Sequence, residues 1–303
     1  MNAQPSRHDE QRGLWLGLLG VVIFALTLPM TRLAVGPASD PQLPPLFVTA
    51  GRAAFAGLLS IVYLLAVRAP RPTVAQLPSF AVSALGTVVG FPLFLALALR
   101  HVESMHAAVV TGLLPLATAV AAALWFRQRP SAGFWACAAG GCTLVVAFAL
   151  VQGSGRLVMA DALLLGAVAS AATGYVAGAR LAAQMRAEQV ICWVLVLSLP
   201  VTLPLTLWSW PVQPVQPVRP AAWGAFGYVT LFSMWLGFFA WYRGLALGGT
   251  VRVSQVQLVQ PFLSLLFAVP VLGERLDPAT VAFALAVIAT VFAGKRMPVH
   301  RTA

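Results

Sequence analysis

Ten apolar stretches, each close to the roughly 20 residues that a bilayer requires, recur along the chain at 13–34, 44–67, 77–99, 104–126, 131–151, 158–182, 188–208, 221–243, 250–272 and 276–294. Short polar connections separate them, which predicts ten helices that alternate in direction. The first run begins at Gly13, too long and too soon followed by others for a cleaved signal peptide, and reads as a retained span. Residues 1–12 and 295–303 are polar tails. One connection differs in character: PVQPVQPVRP at 211–220 predicts an extended, stiff spacer.

Within the apolar runs the polar positions are not scattered. Thr250, Gln257, Pro261 and Ser264 fall seven, four and three residues apart, so they share one helix face. Ser104, Thr111, Pro115 and Thr118 repeat the pattern 146 residues upstream. Lipid offers no partner to such a stripe, so it must face protein or water. Each proline also removes an N–H and leaves a carbonyl one turn earlier unpaired. The same offset relates Leu18-Leu19-Gly20 to Leu164-Leu165-Gly166, Ala25 to Ala171, Thr27 to Thr173, Leu99 to Leu245 and Arg129 to Arg275. The chain therefore divides into a first repeat at 13–151, a linker at 152–157 and a second repeat at 158–294. Five spans per repeat is odd, so the halves insert in opposite directions. The expected fold is an all-α membrane protein of two inverted five-helix repeats, with broken helices meeting near the midplane.

Composition agrees with this and narrows the function. Sixty per cent of the residues are hydrophobic and 9% charged, with mean hydropathy +0.87. The net charge of +11 carries topology, not a nucleic-acid surface, since no basic face with aromatic support is present. Thirteen of the nineteen basic residues lie on the side of the termini, five on the other, and Arg52 alone sits inside a span, which predicts cytoplasmic termini. Cys137, Cys142 and Cys192 lie in apolar segments and imply no disulfide framework.

Hydroxyls, amides and rings are the candidate solute contacts: Thr27, Thr87, Phe91, Thr111, Thr173, Ser233, Trp241, Gln257 and Gln260, with Pro115 and Pro261 as hinges. Each has a plainer reading. Threonine and glutamine also bond neighbouring helices, aromatic stripes also anchor at interfaces, and prolines also kink helices that never move. The GxxxG pairs Gly13/Gly17, Gly86/Gly90 and Gly174/Gly178 read as close helix packing. Arg52 either snorkels, pairs internally or faces a solute carboxylate. No Asp or Glu lies deep in a span; Glu103, Asp161, Glu188, Glu274 and Asp277 all fall at helix ends. His101 and His106 are wrongly spaced for a metal on one helix face.

Two five-span halves, the early arginine in LFVTAGRAAFAG, and the runs FLALALRHVESMHAAVVTGLLPLATAVAAALWFRQRPS and WYRGLALGGTVRVSQVQLVQPFLSLLFAVPVLGERLDPATVAFALAVIATVFAG resemble the drug/metabolite transporter superfamily, EamA type. Among its groups the chain is most similar to the bacterial aromatic amino-acid exporters. Two positions depart from the pattern: Phe24-Ala25 stands where many members carry Trp-Gly, and Arg127-Gln128 stands where the second half has Gly273-Glu274. The resemblance implies a multi-pass inner-membrane exporter of small metabolites, with a central cavity lined by spans 1, 3, 4, 6, 8 and 9. The resulting expectation is facilitative export of neutral or zwitterionic solutes, aromatic or other apolar amino acids foremost, by alternating access. It needs no cofactor or metal, and its partners are the solute and the lipid bilayer, with the chain a monomer or a dimer. A rival is proton-coupled efflux of lipophilic cations, which calls for a buried carboxylate. A membrane-embedded enzyme would need a G-x-S-x-G, H-E-x-x-H or D-x-x-D arrangement, and nucleotide-driven pumping a GxxxxGK[ST] loop; none occurs.

Overall fold

Proline and glycine decide where the helices of this chain bend and how closely they approach. The computed structural model describes residues 7–125, 129–152, 155–211, 217–248, 254–297 and 299–300. Thr250, the pair Arg127-Gln128 and the middle of the proline-rich connection lie outside the described residues. In chain order the helices are α1 (Arg7–Ala25), α2 (Thr27–Val35), α3 (Pro45–Ala66), α4 (Leu77–Ser83), α5 (Phe91–Ala98), α6 (Ser104–Thr111) and α7 (Leu114–Trp125). They continue as α8 (Ala132–Gln152), α9 (Met159–Ala182), α10 (Ala187–Trp208), α11 (Pro220–Tyr228), α12 (Gly237–Gly248), α13 (Gln260–Leu272) and α14 (Pro278–Arg296). A single antiparallel pairing of Arg129–Pro130 with Val299–His300 joins two segments at the end that holds the termini.

Eight helical stretches among the described residues are long and apolar enough to cross a bilayer. Two shorter apolar helices, Val256–Leu272 and Pro278–Gly294, coincide with the last two stretches read from the sequence. Large apolar side chains such as Trp15, Leu65, Leu85 and Leu207 face outward, as a bilayer solvent demands.

The first span breaks between α1 and α2. Pro29 has no N–H to give to the carbonyl of Ala25, one turn earlier. Ser264 of α13 fills the gap, its Oγ donating to that carbonyl at 2.8 Å while itself fully buried. The spans containing α4–α5 and α11–α12 each loosen into a π-helix, at Ala84–Gly90 and Val229–Leu236. Adding 146 to the first range gives 230–236, so the two wide turns occupy matching positions. The fourth span is likewise interrupted at Gly112 and resumes as α7 at Leu114; α13 starts at the matching Gln260, after a 3₁₀ turn at Ser254–Val259.

Small residues set the closest approaches. A Cβ on Gly86 would lie 2.4 Å from the Ser170 carbonyl oxygen and 2.7 Å from Gly174 Cα, so the third span and α9 touch backbone to backbone. Gly244 of α12 meets Gly17 of α1 in the same manner, with 2.6 Å left to the Gly17 nitrogen. In α10, which runs unbroken through Pro200 and Pro204, the buried hydroxyls of Ser198, Thr202 and Thr206 each bond the carbonyl four residues back.

Polar contacts gather at the end away from the termini. Glu274, in the α13–α14 loop, accepts from the backbone N–H groups of Ser104 and Met105 at 2.7 and 2.8 Å, at the positive end of the α6 dipole. Burial pushes its carboxyl up from the ordinary range, and the two N–H bonds oppose that shift. His106 Nε2 lies 2.7 Å from Asp161 Oδ1, and Arg219 pairs with Asp40. Asp161 is at a helix end, as the sequence suggests, yet it is buried. Asp277 caps α14, accepting from the Thr280 N–H at 2.9 Å and from the Thr280 hydroxyl.

Three stability tests follow from these contacts. Gly86→Ala should lower the thermal stability of the detergent-purified protein by about 1–3 kcal/mol of overpacking, whereas Gly140→Ala, with nothing within 4 Å of its Cβ, should not; equal melting of the two variants would contradict the backbone contact. Ser264→Ala should cost about 1–3 kcal/mol by stranding the Ala25 carbonyl, with Ser264→Thr retaining most of it; a melting temperature unchanged by the alanine would count against the bond. Asp277 is held below the usual carboxylate range, first by the Thr280 hydroxyl. Its contribution is therefore present above the unfolded carboxyl's pKa and lost as pH falls through the depressed folded value. Melting curves of Asp277→Ala and wild type should converge on acidification and differ at neutral pH.

Candidate functional site

The interruptions in the helices surround a chamber at the centre of the molecule. Its polar wall consists of Thr27 from α2, Arg52 from α3, Thr87 from the first π-helix, Thr111 from α6, Ser233 from the second π-helix, Gln257 from the 3₁₀ turn and Gln260 at the start of α13. Phe91, Pro115, Tyr175 and Pro261 complete it. About 60 Å³ is open to the centres of water molecules, room for several waters. The chamber continues into a larger vestibule of about 400 Å³, sharing Phe24, Tyr175, Phe238 and Gln257 with it. The vestibule adds Trp241 and Tyr242 and reaches the α9–α10 connection at Ala182, Ala183 and Ala187, on the side of the termini. No Asp or Glu lines either space among the described residues.

Local chemistry explains why this region is polar. Pro115 and Pro261 lack the N–H that would bond the carbonyls of Thr111 and Gln257 in an α-helix. Before Pro261 the chain tightens into a 3₁₀ turn, whose i→i+3 bonding takes up the Gln257 carbonyl, and Thr111 and Gln257 both line the chamber. An unpaired carbonyl in hydrocarbon costs several kcal/mol, so such breaks persist only beside water or protein donors. The Thr111 hydroxyl donates to the Ala107 carbonyl at 2.7 Å and the Thr87 hydroxyl to the Ser83 carbonyl at 2.7 Å, so each oxygen keeps acceptor capacity. The Gln260 Oε1 atom is buried with no donor among the described residues.

Arg52 dominates the electrostatics. It is 3% exposed, so it does not snorkel to either surface. Its Nη2 donates to Ser233 Oγ at 3.0 Å, and Ser233 Oγ lies 2.8 Å from Thr27 Oγ1. The Nε and Nη1 groups have no acceptor, and no carboxylate pairs with the guanidinium among the described residues.

Of the residues singled out from the sequence, Thr27, Thr87, Phe91, Thr111, Ser233, Gln257, Gln260 and both prolines come together in the chamber. Trp241 belongs to the vestibule. Thr173 does not join them. It is exposed in an outer apolar groove with Leu165, Val168 and Ala169, and its hydroxyl bonds its own helix at Ala169 and Ser170. The reason is local: Pro29 breaks the first span, but the matching residue is Tyr175 and α9 runs unbroken. Ala171 and Tyr175, four apart, face the chamber, so Thr173 between them faces away.

Sequence reasoning passed over Tyr175, Phe238 and Tyr242. For Tyr175 a signal existed, a polar aromatic at the position matching a helix-breaking proline. Phe238 and Tyr242 lie one residue along from the Gly237 and Trp241 face, a rotation that the π-helix before them introduces.

The profile of the EamA-like transporter family matches twice, over residues 11–151 and 158–293. The uncharacterized transporter YdeK of Bacillus subtilis (strain 168) is 46% identical over 291 residues, covering 93% of this chain and 96% of that protein. A protein crystal structure 18% identical in sequence shares the fold with a TM-score of 0.60, over 93% of this chain and 97% of that one. An all-helical membrane chain with helix breaks around a central chamber, matched by this profile over nearly its whole length, belongs to the EamA-like transporter family.

Proposed function

We propose that this transporter exports small neutral or zwitterionic metabolites, aromatic and other apolar amino acids foremost, across the bacterial inner membrane. Two inverted five-helix repeats, 13–151 and 158–294, rock about the chamber and open it to each side in turn. Flux is facilitative. Both termini are cytoplasmic, a reading supported by the thirteen basic residues on their side.

The observation that carries this reading is the junction of a small polar chamber with an aromatic vestibule. Hydroxyls and amides suit a charged or polar head, and the rings of Phe24, Phe238 and Trp241 suit an apolar body. The matching π-helices and the matching breaks before α7 and α13 support the repeat. The vestibule reaches the termini side while Glu274, His106–Asp161 and Arg219–Asp40 bind the other, which suits a state open to the cytoplasm. A lipophilic cation fits the site poorly, since Arg52 places a positive charge in the wall and no acid opposes it.

Proteoliposomes loaded with labelled tryptophan provide the test. Efflux should follow the tryptophan gradient and persist when the pH gradient is collapsed. Thr111→Ala and Gln257→Ala should each slow it about fivefold to tenfold, the loss of one hydrogen bond made during passage, without reducing the yield of folded protein. Transport of lipophilic cations alone, driven only by a pH gradient, would replace this reading with drug antiport, and normal rates in both variants would remove that pair from the pathway.

A further inference from the structure

A buried guanidinium is always charged, and leaving it without a counter-charge costs several kcal/mol. Among the described residues, Arg52 nevertheless sits in the chamber wall with a single neutral partner, Ser233, and its Nε and Nη1 groups unused. Such a charge in a membrane interior marks a functional demand. The same chamber holds the opposite deficiency, the buried Gln260 Oε1 with no donor. One side of the space lacks an acceptor that carries negative charge, and another lacks a donor.

We propose that Arg52 recognises the carboxylate of the transported solute while Gln260 Oε1 receives its ammonium group. This assignment rests on the export reading above and makes it stricter: a carboxylate becomes obligatory. An α-amino acid presents both groups on one carbon. The chamber takes that head, and the side chain extends into the 400 Å³ vestibule between Phe24, Phe238 and Trp241. A solute carboxylate accepts from Arg52 in a charge-assisted bond, the stronger class. While it is bound, the buried cation is neutralised, so passage of the arginine through a closed state becomes easier with solute than without it.

Binding to the full-length protein in nanodiscs, read by calorimetry and thermal shift, tests this with three probes: L-tryptophan, L-tryptophanamide, which lacks the carboxylate, and indole-3-propionate, which lacks the ammonium group. Wild type should bind tryptophanamide about tenfold or more weaker than tryptophan. Arg52→Gln should weaken tryptophan and indole-3-propionate by a similar factor and should not weaken tryptophanamide, with Arg52→Lys in between for the two carboxylates. Gln260→Leu should weaken tryptophan and spare indole-3-propionate. If Arg52→Gln does not fold, the three probes on wild type still decide. Tryptophanamide binding as tightly as tryptophan, or an Arg52→Gln protein that binds tryptophan normally, overturns the assignment and leaves the export reading standing. Indole-3-propionate bound through Arg52 with tryptophan excluded keeps the assignment and overturns the amino-acid reading. No binding of any probe overturns both.

Discussion

The backbone's need for partners in hydrocarbon governs this molecule. Each place where proline removes an N–H frees a carbonyl that lipid cannot satisfy. At Pro29 the remedy is a buried hydroxyl, Ser264, reaching from another span to the Ala25 carbonyl. At Pro115 and Pro261 the residues one turn earlier, Thr111 and Gln257, line the chamber instead. The molecule thus closes one break with a hydroxyl from another span and sets the other two beside the chamber. These three prolines bring α2, α6 and α13 around one space, and the two π-helices supply the remaining polar wall.

The rest of the architecture keeps that space enclosed and directional. Glycine contacts between the third span and α9, and between α1 and α12, draw the helices together without filling the centre. Loop contacts tie down the end opposite the termini, where Glu274 bridges to the start of α6. The side toward the termini is lined by alanines near the α9–α10 connection and by rings, which leave the vestibule wide. Close loop contacts on one side and a spacious apolar mouth on the other support the proposed opening toward the termini.

Much of this was legible in the sequence because hydrocarbon leaves few choices. Periodicity located the spans, and the polar stripe Gln257–Pro261–Ser264 could face only protein or water. Gly13/Gly17, Gly86 and Gly174 marked real backbone contacts, whereas Gly90 and Gly178 meet side chains of the facing helices. What escaped notice depended on geometry that a one-dimensional offset cannot carry. Thr27 and Thr173 match in sequence, but only the first span has a proline there, so the two helices present different faces. The π-helices at Ala84–Gly90 and Val229–Leu236 shift the rotation of everything beyond them, which brings Phe238 and Tyr242 inward beside Trp241. The position of Arg52 was evident; its lack of any acidic partner was not, because that depends on where every carboxylate of the described chain ends up.

The central claim is that the chamber between the broken helices is reached by water and by solute. Single cysteines at positions 111 and 257, in a background lacking Cys137, Cys142 and Cys192, test it through their reaction with a membrane-impermeant thiol reagent applied from the side of the termini. The account requires both to be modified, tryptophan to slow the modification, and a cysteine at the outward-facing Leu165 to stay unreactive. Cysteines at 111 and 257 that resist the reagent from either side, with or without solute, would mean that the centre of the molecule is dry and that no pathway runs through it.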